Sequence, residues 1–194
     1  GVDEYRDAVK KACDDVIAEF PSLAEPHYIL GRMYRAGMNP EEALREQNLA
    51  IKINPQYTSA HYERVILEIQ AYQEALREAT GANRGLMLVR KVIQLQNDKS
   101  PEDSALSLPK GFQEKRGQLE KRLLKLEALV QSNSQSISEG RIACVRGLWS
   151  WITGDLDAAR EFLLAGVQSK EPLEEAYEAL ATLEMESGKF EESI

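Results

Sequence analysis

The side chains best suited to catalysis or metal binding are few in this chain. Its two histidines, His27 and His61, stand 34 residues apart, and each is followed by a tyrosine. The two cysteines, Cys13 and Cys144, are isolated, and neither a Cys-X-X-Cys nor a His-Glu-X-X-His pattern occurs. A glycine–lysine phosphate loop is missing as well. We therefore predict no enzyme activity, no metal site and no cofactor, and we interpret the histidines and cysteines as packing residues.

Composition narrows the class of protein further. The 194 residues are 43% hydrophobic and 29% charged, which is typical of a folded domain, and the formal net charge is −8. That acidic balance argues against nucleic acid as a partner. No apolar run approaches the roughly 18 residues of a membrane span, so we expect no membrane insertion. The sequence specifies no compartment; two unpaired cysteines are compatible with a reducing one, and a cytoplasmic location is slightly favoured.

The repeated His-Tyr pair belongs to a helix–break–helix pattern between residues 25 and 53. Bulky and small residues recur at helical spacing before the break at Gly37, and again after it. Asn39 is placed to cap the second helix, with Pro40 at its first position and two glutamates in the first turn. Pro55 ends it. Both helices are too short to be stable alone, so each must bury one face against neighbours.

With its 34-residue period, the stretch 24–57 resembles the tetratricopeptide repeat. The resemblance is carried by residues at fixed offsets: His27, Leu30, Gly31, Tyr34, Ala43, Ala50 and Pro55. One departure is Met38, which stands where the turn glycine is usual. The resemblance implies an all-α fold, an α-solenoid of antiparallel helix pairs that forms a right-handed superhelix.

The same frame, shifted along the chain, predicts the domain organisation. We expect the second helix of a truncated repeat at 1–23, the repeat at 24–57, a degenerate helix pair at 58–97, a loop at 98–111, a lone long helix at 112–134, a second repeat at 140–173 and a truncated repeat at 174–194. The incomplete units at both ends suggest a segment of a longer protein.

The lone helix is the irregular element of this scheme. Phe112, Leu119, Leu123, Leu126 and Val130 form a coiled-coil-like seam, but no second helix is left to pair with it. Its other faces are rich in lysine and arginine. That basic surface is either simply solvated or a contact for an acidic partner, including the glutamate-rich C-terminal end of another copy.

The resemblance also implies where a partner binds, because the first helices of such repeats line a concave surface. The predicted partner-binding residues are Glu25, Tyr28, Arg32, Arg35, Tyr62, Ile66, Arg141, Leu148, Trp151 and Glu178. Trp151, rather than Trp149, is the predicted exposed anchor. A lysine–asparagine clamp for chaperone tails is absent, since Tyr28 and Arg32 occupy those positions.

We thus predict a protein–protein interaction scaffold that binds a peptide or protein segment in its concave face. The alternative is a structural self-assembly module, in which copies pair into a homo-oligomer through repeat ends or through the 112–132 helix.

Overall fold

A computed structural model describes residues 2–80, 111–132, 138–171 and 173–187 of the chain. Over these residues the fold is all-helical, with eight helices and no strand. The helices are α1 (Val2–Glu19), α2 (Glu25–Ala36), α3 (Pro40–Ile53), α4 (Thr58–Thr80), α5 (Phe112–Ser132), α6 (Glu139–Thr153), α7 (Leu156–Val167) and α8 (Glu174–Ser187). The predicted all-α class is confirmed.

The described residues fall into two compact units. The first contains 2–68 and 122–132, and the second contains 69–80, 111–121, 138–171 and 173–187. Both α4 and α5 contribute to each unit. Three of the predicted features lie outside the described residues: the second helix of the degenerate pair at 58–97, nearly all of the 98–111 loop, and the end of the predicted truncated repeat at 188–194.

In the first unit, local sequence signals set the bounds of α2 and α3 as predicted. The side-chain oxygen of Asn39 accepts a hydrogen bond from the backbone N–H of Glu42, and Pro40 is the first residue of α3. Met38, in the place of the usual turn glycine, adopts a left-handed φ of 56°. The turn is therefore built without glycine at that position, at some conformational cost.

Small residues bring α2 and α3 together. Gly31 is buried directly against the side chain of Gln47, and Ala43 and Ala50 are fully buried. The prediction that these residues stand at the closest approach of the helix pair is confirmed. At the C-terminal end of α2, the guanidinium of Arg6 in α1 donates to the carbonyl oxygen of Ala36 at 3.3 Å.

The second unit repeats this construction with α6 and α7. Gly147 packs against Leu163, and Ala159 is fully buried. Gly154 ends α6 in a left-handed conformation, with φ of 89°, and the Asp155 carboxylate caps α7 by accepting from the N–H of Ala158 at 3.1 Å. Helix α8 then packs on both α6 and α7.

Helix α5 is not a lone helix, and this prediction was wrong. In the first unit Arg122 of α5 bonds to Glu68 of α4, while Lys125 lies near the earlier residue His61, so the helices run antiparallel. In the second unit Phe112 stacks edge-on against Tyr72, with centroids 5.5 Å apart. The seam leucines are buried, and α5 thus supplies α4 with an antiparallel partner. Sequence patterns do not reveal this pairing, because more than thirty residues separate the two helices.

Candidate partner-binding surface

Five side chains of the first unit form the most distinctive polar and aromatic group of the described chain, which we call the tyrosine–arginine cluster. Its members are Tyr28, Arg32 and Arg35 of α2, Tyr57 just before α4, and Glu63 of α4. Helix α3 packs on α2, and its Ala50 shares a core cluster with Ala60 of α4, so the tyrosine–arginine cluster stands on packed helices and the turn before α4.

The aromatic half of the cluster rests on a core of small residues. The rings of Tyr28 and Tyr57 lie 5.2 Å apart at an interplanar angle of 51°, and both pack on Ala24, Ala50 and Ala60. Burial, with smaller contributions from Glu25 and Tyr28, raises the pKa of Tyr57 to about 12. The Tyr57 phenol is therefore neutral near pH 7 and remains a hydrogen-bond donor.

The charged half is built on a buried carboxylate. Arg35 Nη1 lies 2.5 Å from Glu63 Oε2, and Arg32 Nε lies 3.7 Å from Glu63 Oε1. The Arg32 guanidinium also sits 6.0 Å from the centroid of the Tyr28 ring, within the range of a cation–π contact. Arg35 and Glu63 are largely enclosed, whereas the Arg32 side chain is 58% exposed. Arg32 is therefore the cation of this cluster that a ligand can reach.

Four of the predicted partner-binding residues lie in the interior instead of on a surface. Tyr62, Ile66, Leu148 and Trp151 are each no more than 8% exposed. Helix α4 has α2 on one side, through Glu63, and α5 on another, through Glu68, which leaves Tyr62 and Ile66 enclosed. The prediction that Trp151 is an exposed anchor is wrong, because that side chain is only 4% exposed.

The other predicted residues are more accessible. Glu25 and Glu178 are exposed, and Arg141 is half-buried. Of the ten residues, the structure brings together Tyr28, Arg32 and Arg35, with Glu25 close enough to influence the pKa of Tyr57.

Sequence reasoning missed two members of the cluster. Tyr57 stands immediately before α4 and Glu63 directly follows Tyr62, so the face of α4 that meets α2 is displaced by one residue from the predicted one. The available signal for Glu63 was an acidic residue near the start of α4, 31 positions after Arg32 and 28 positions after Arg35.

The histidines have separate structural partners. His27 Nδ1 lies 2.7 Å from Glu46 Oε2, and His61 Nε2 lies 3.0 Å from the carbonyl oxygen of Pro55. Burial, and to a smaller extent the nearby Arg64 and Lys125, lowers the pKa of His61 to about 4. Within the described ranges, no three His, Cys, Asp or Glu side chains are grouped so that they could hold a metal ion.

Comparison with known proteins adds no identification. No protein-family model matches the chain, and no curated protein matches it significantly. None of the described helices combines the length and the hydropathy needed to cross a bilayer.

Proposed function

We propose that this chain is a protein–protein interaction scaffold of tetratricopeptide-like helix pairs, stacked as an α-solenoid. In this proposal a protein or peptide segment binds along the face that carries the tyrosine–arginine cluster. The observation that supports it most is the position of Arg32, which is exposed, charged and held over an aromatic ring beside a largely enclosed ion pair.

Arginine and tyrosine are the side chains that most often dominate binding energy at protein interfaces. Tyr28 and Glu63 already restrict the Arg32 side chain. Ligand binding therefore costs less side-chain entropy here than at an isolated arginine. Glu63 satisfies Arg35 at 2.5 Å but approaches Arg32 only at 3.7 Å. The Arg32 guanidinium thus keeps donors for a carboxylate or carbonyl group of the bound segment.

The helix pairs support the repeat interpretation. In both α2–α3 and α6–α7 a glycine of the first helix meets the second helix, and an asparagine or aspartate caps the second helix. These features recur at equivalent positions of the 34-residue frame. Stacked units of this kind present continuous surfaces suited to extended ligands.

A charge-matched pair of variants tests the proposal. Arg32→Glu reverses the charge in the cluster, whereas Arg45→Glu makes the same change at a similarly exposed position on α3. Proteins captured from the source cells by the unmodified chain and by each variant are compared by quantitative mass spectrometry. We expect at least one protein to be retained by the unmodified chain and by Arg45→Glu but lost with Arg32→Glu. Equal recovery by all three would place the binding surface elsewhere.

Self-assembly is the second candidate. Pairing through α5 is disfavoured, because the seam residues Leu119, Leu123 and Leu126 are already buried within the chain. Exposed large apolar side chains on α1, α2 and α8 favour pairing through the repeat ends instead.

A further inference from the structure

The contact between α4 and α5 brings three cations to a single carboxylate. Arg64 and Glu68 lie on α4, and Arg122 and Lys125 lie on α5. All four residues belong to the first unit, and we call them the α4–α5 basic cluster. Three positive charges against one negative charge leave a local excess of two, in a chain whose formal net charge is −8. The cluster therefore differs in sign from the protein as a whole.

The antiparallel packing of the two helices places these side chains opposite one another. His61 and Arg64 are three residues apart on α4, so they share a helix face. Arg122 and Lys125 share a face of α5 in the same way. Lys125 lies near His61, whereas Arg122 bonds to Glu68 and lies near Arg64. Arg64, between His61 and Glu68 along α4, thus stands beside both cations of α5.

The Arg64 guanidinium is only loosely held by the protein. Its Nη1 donates to Asn48 Oδ1 at 3.4 Å, and its Nη2 lies 3.5 Å from His61 Nδ1. Both distances exceed the usual range of about 2.7–3.2 Å. The Nε atom is buried, and it has no hydrogen-bond partner in the part of the chain that the structure describes. Because each terminal nitrogen carries a second N–H, Arg64 keeps donors that the protein does not use.

One carboxylate does not balance the cations around it. Glu68 bonds to Arg122 through Oε1, while its buried Oε2 has no hydrogen-bond partner among the described residues. Burial lowers the pKa of Arg64; Glu68 opposes this lowering, and the like charge of Arg122 adds to it. A bound anion would relieve the remaining repulsion between the cations.

An anion can reach this cluster from solvent. The Arg122 side chain is 36% exposed, Lys125 is exposed and Arg64 is half-buried. On the other side of Arg64, helix α3 contributes Asn48 and, one turn later, the exposed Lys52. The cluster is therefore an accessible basic surface that spans three packed helices.

We propose that Arg64, Arg122 and Lys125 bind a phosphate group, either on a phosphorylated side chain or on a small molecule. A phosphate dianion matches the excess of two positive charges, and its several acceptor oxygens can meet cations from different directions. The arginine fork fits such a group better than a point charge does. These three residues are separate from the tyrosine–arginine cluster, so the proposal does not depend on the proposed function.

The first probe is inorganic phosphate, titrated into the isotope-labelled chain at pH 7, where the group is largely dianionic. Chloride keeps the ionic strength constant, and nuclear magnetic resonance follows the side-chain Nε–H signals of Arg64 and Arg122. We expect shifts of both signals that saturate with phosphate. Acetate, which carries one charge and fewer acceptor oxygens, should shift them at least about tenfold less effectively.

Four variants identify the residues that bind. Lys125→Gln and Arg64→Lys should each weaken phosphate binding about tenfold, since the first removes a cation and the second removes the fork. Lys115→Gln makes the same change as Lys125→Gln at an exposed position ten residues earlier on α5, and it should bind as the unmodified chain does. Glu68→Gln removes the competing carboxylate and should bind phosphate more tightly.

A short glycine peptide with one central phosphoserine then separates the two sources. Tighter binding than inorganic phosphate would assign the site to a phosphorylated protein segment, and binding no tighter would assign it to a small phosphate compound.

Three results would overturn the proposal. One is the absence of saturable shifts at Arg64 and Arg122, including the case in which only Glu68→Gln binds phosphate. The second is an equal effect of acetate and phosphate. The third is equal phosphate affinity of Lys125→Gln and Lys115→Gln.

Discussion

Replacing Gly31 with alanine inserts a methyl group at the closest approach of α2 and α3. A Cβ atom at this position would lie 2.3 Å from Nε2 and 2.8 Å from Cδ of Gln47. Gln47 is fully buried, and its Nε2 donates to the carbonyl oxygen of Tyr28 at 3.2 Å. The amide must move to admit the methyl group, and this hydrogen bond is then lost.

The net effect on the free energy of unfolding follows from three opposing contributions. Overpacking a closed site costs roughly 1–3 kcal/mol, and losing the hydrogen bond costs about 1 kcal/mol. Alanine has a higher helix propensity than glycine, which offsets about 1 kcal/mol of this cost. We therefore expect Gly31→Ala to be destabilised by roughly 1–3 kcal/mol, and Gly31→Leu by at least as much.

The control is Gly117→Ala in α5. An added Cβ there meets nothing within 4 Å, so only the helix-propensity gain remains and the variant should be stabilised by about 0.5–1 kcal/mol. The assay is equilibrium urea unfolding followed by far-ultraviolet circular dichroism, with midpoints compared at constant slope.

A double-mutant cycle with Gln47→Ala isolates the contact. Removing the Gln47 amide should reduce the cost of Gly31→Ala, because the atoms it would collide with are gone. If Gly31→Ala were as stable as Gly117→Ala, the packing of α2 against Gln47 would be contradicted.

Two further predictions concern buried charges. The folded-state pKa of His61 is about 4, below the ordinary value of 6.5, so the unfolded chain takes up the proton first as the pH falls. This contribution to stability is complete above pH 6.5 and is lost as the pH falls towards 4. Urea unfolding at pH 7 and pH 4.5 should therefore show a loss about 2 kcal/mol smaller in His61→Gln than in the unmodified chain. Parallel losses in the two proteins would contradict the assignment. Arg122→Met removes the cation beside the nearly enclosed Glu68 and should cost about 2 kcal/mol in the same assay. Adding Glu68→Gln should recover most of that loss, and no recovery would mean that the ion pair is unimportant to the packing of α4 on α5.

The local features of the fold were predictable because neighbouring residues determine them. Asn39 and Pro40 set the start of α3, and the small residues Gly31, Ala43 and Ala50 marked where two helices meet. These signals act within one helix pair, between residues that are close in sequence.

The pairing of α4 with α5 was not predictable in the same way. Its contacts join residues such as Glu68 and Arg122, which are 54 positions apart, and the apolar seam of α5 suits several partners equally well. The 34-residue frame instead pointed to the stretch directly after α4.

The candidate site was predicted only in part, for a related reason. The family resemblance implied Tyr28, Arg32 and Arg35 as partner-binding residues of α2, but it did not fix the rotation of α4 that turns Glu63 instead of Tyr62 towards them. The burial of Trp151 likewise depends on how many helices surround α6. The sequence of α6 alone does not determine that number.

The most direct test of the proposed scaffold is the affinity of its captured partner segment, measured by titration calorimetry. The account predicts that Arg32→Glu raises Kd about tenfold or more, since an arginine at a binding hot spot contributes at least about 2 kcal/mol. Arg45→Glu should leave Kd unchanged. Equal Kd values for the unmodified chain and Arg32→Glu would contradict the assignment of partner binding to the tyrosine–arginine cluster.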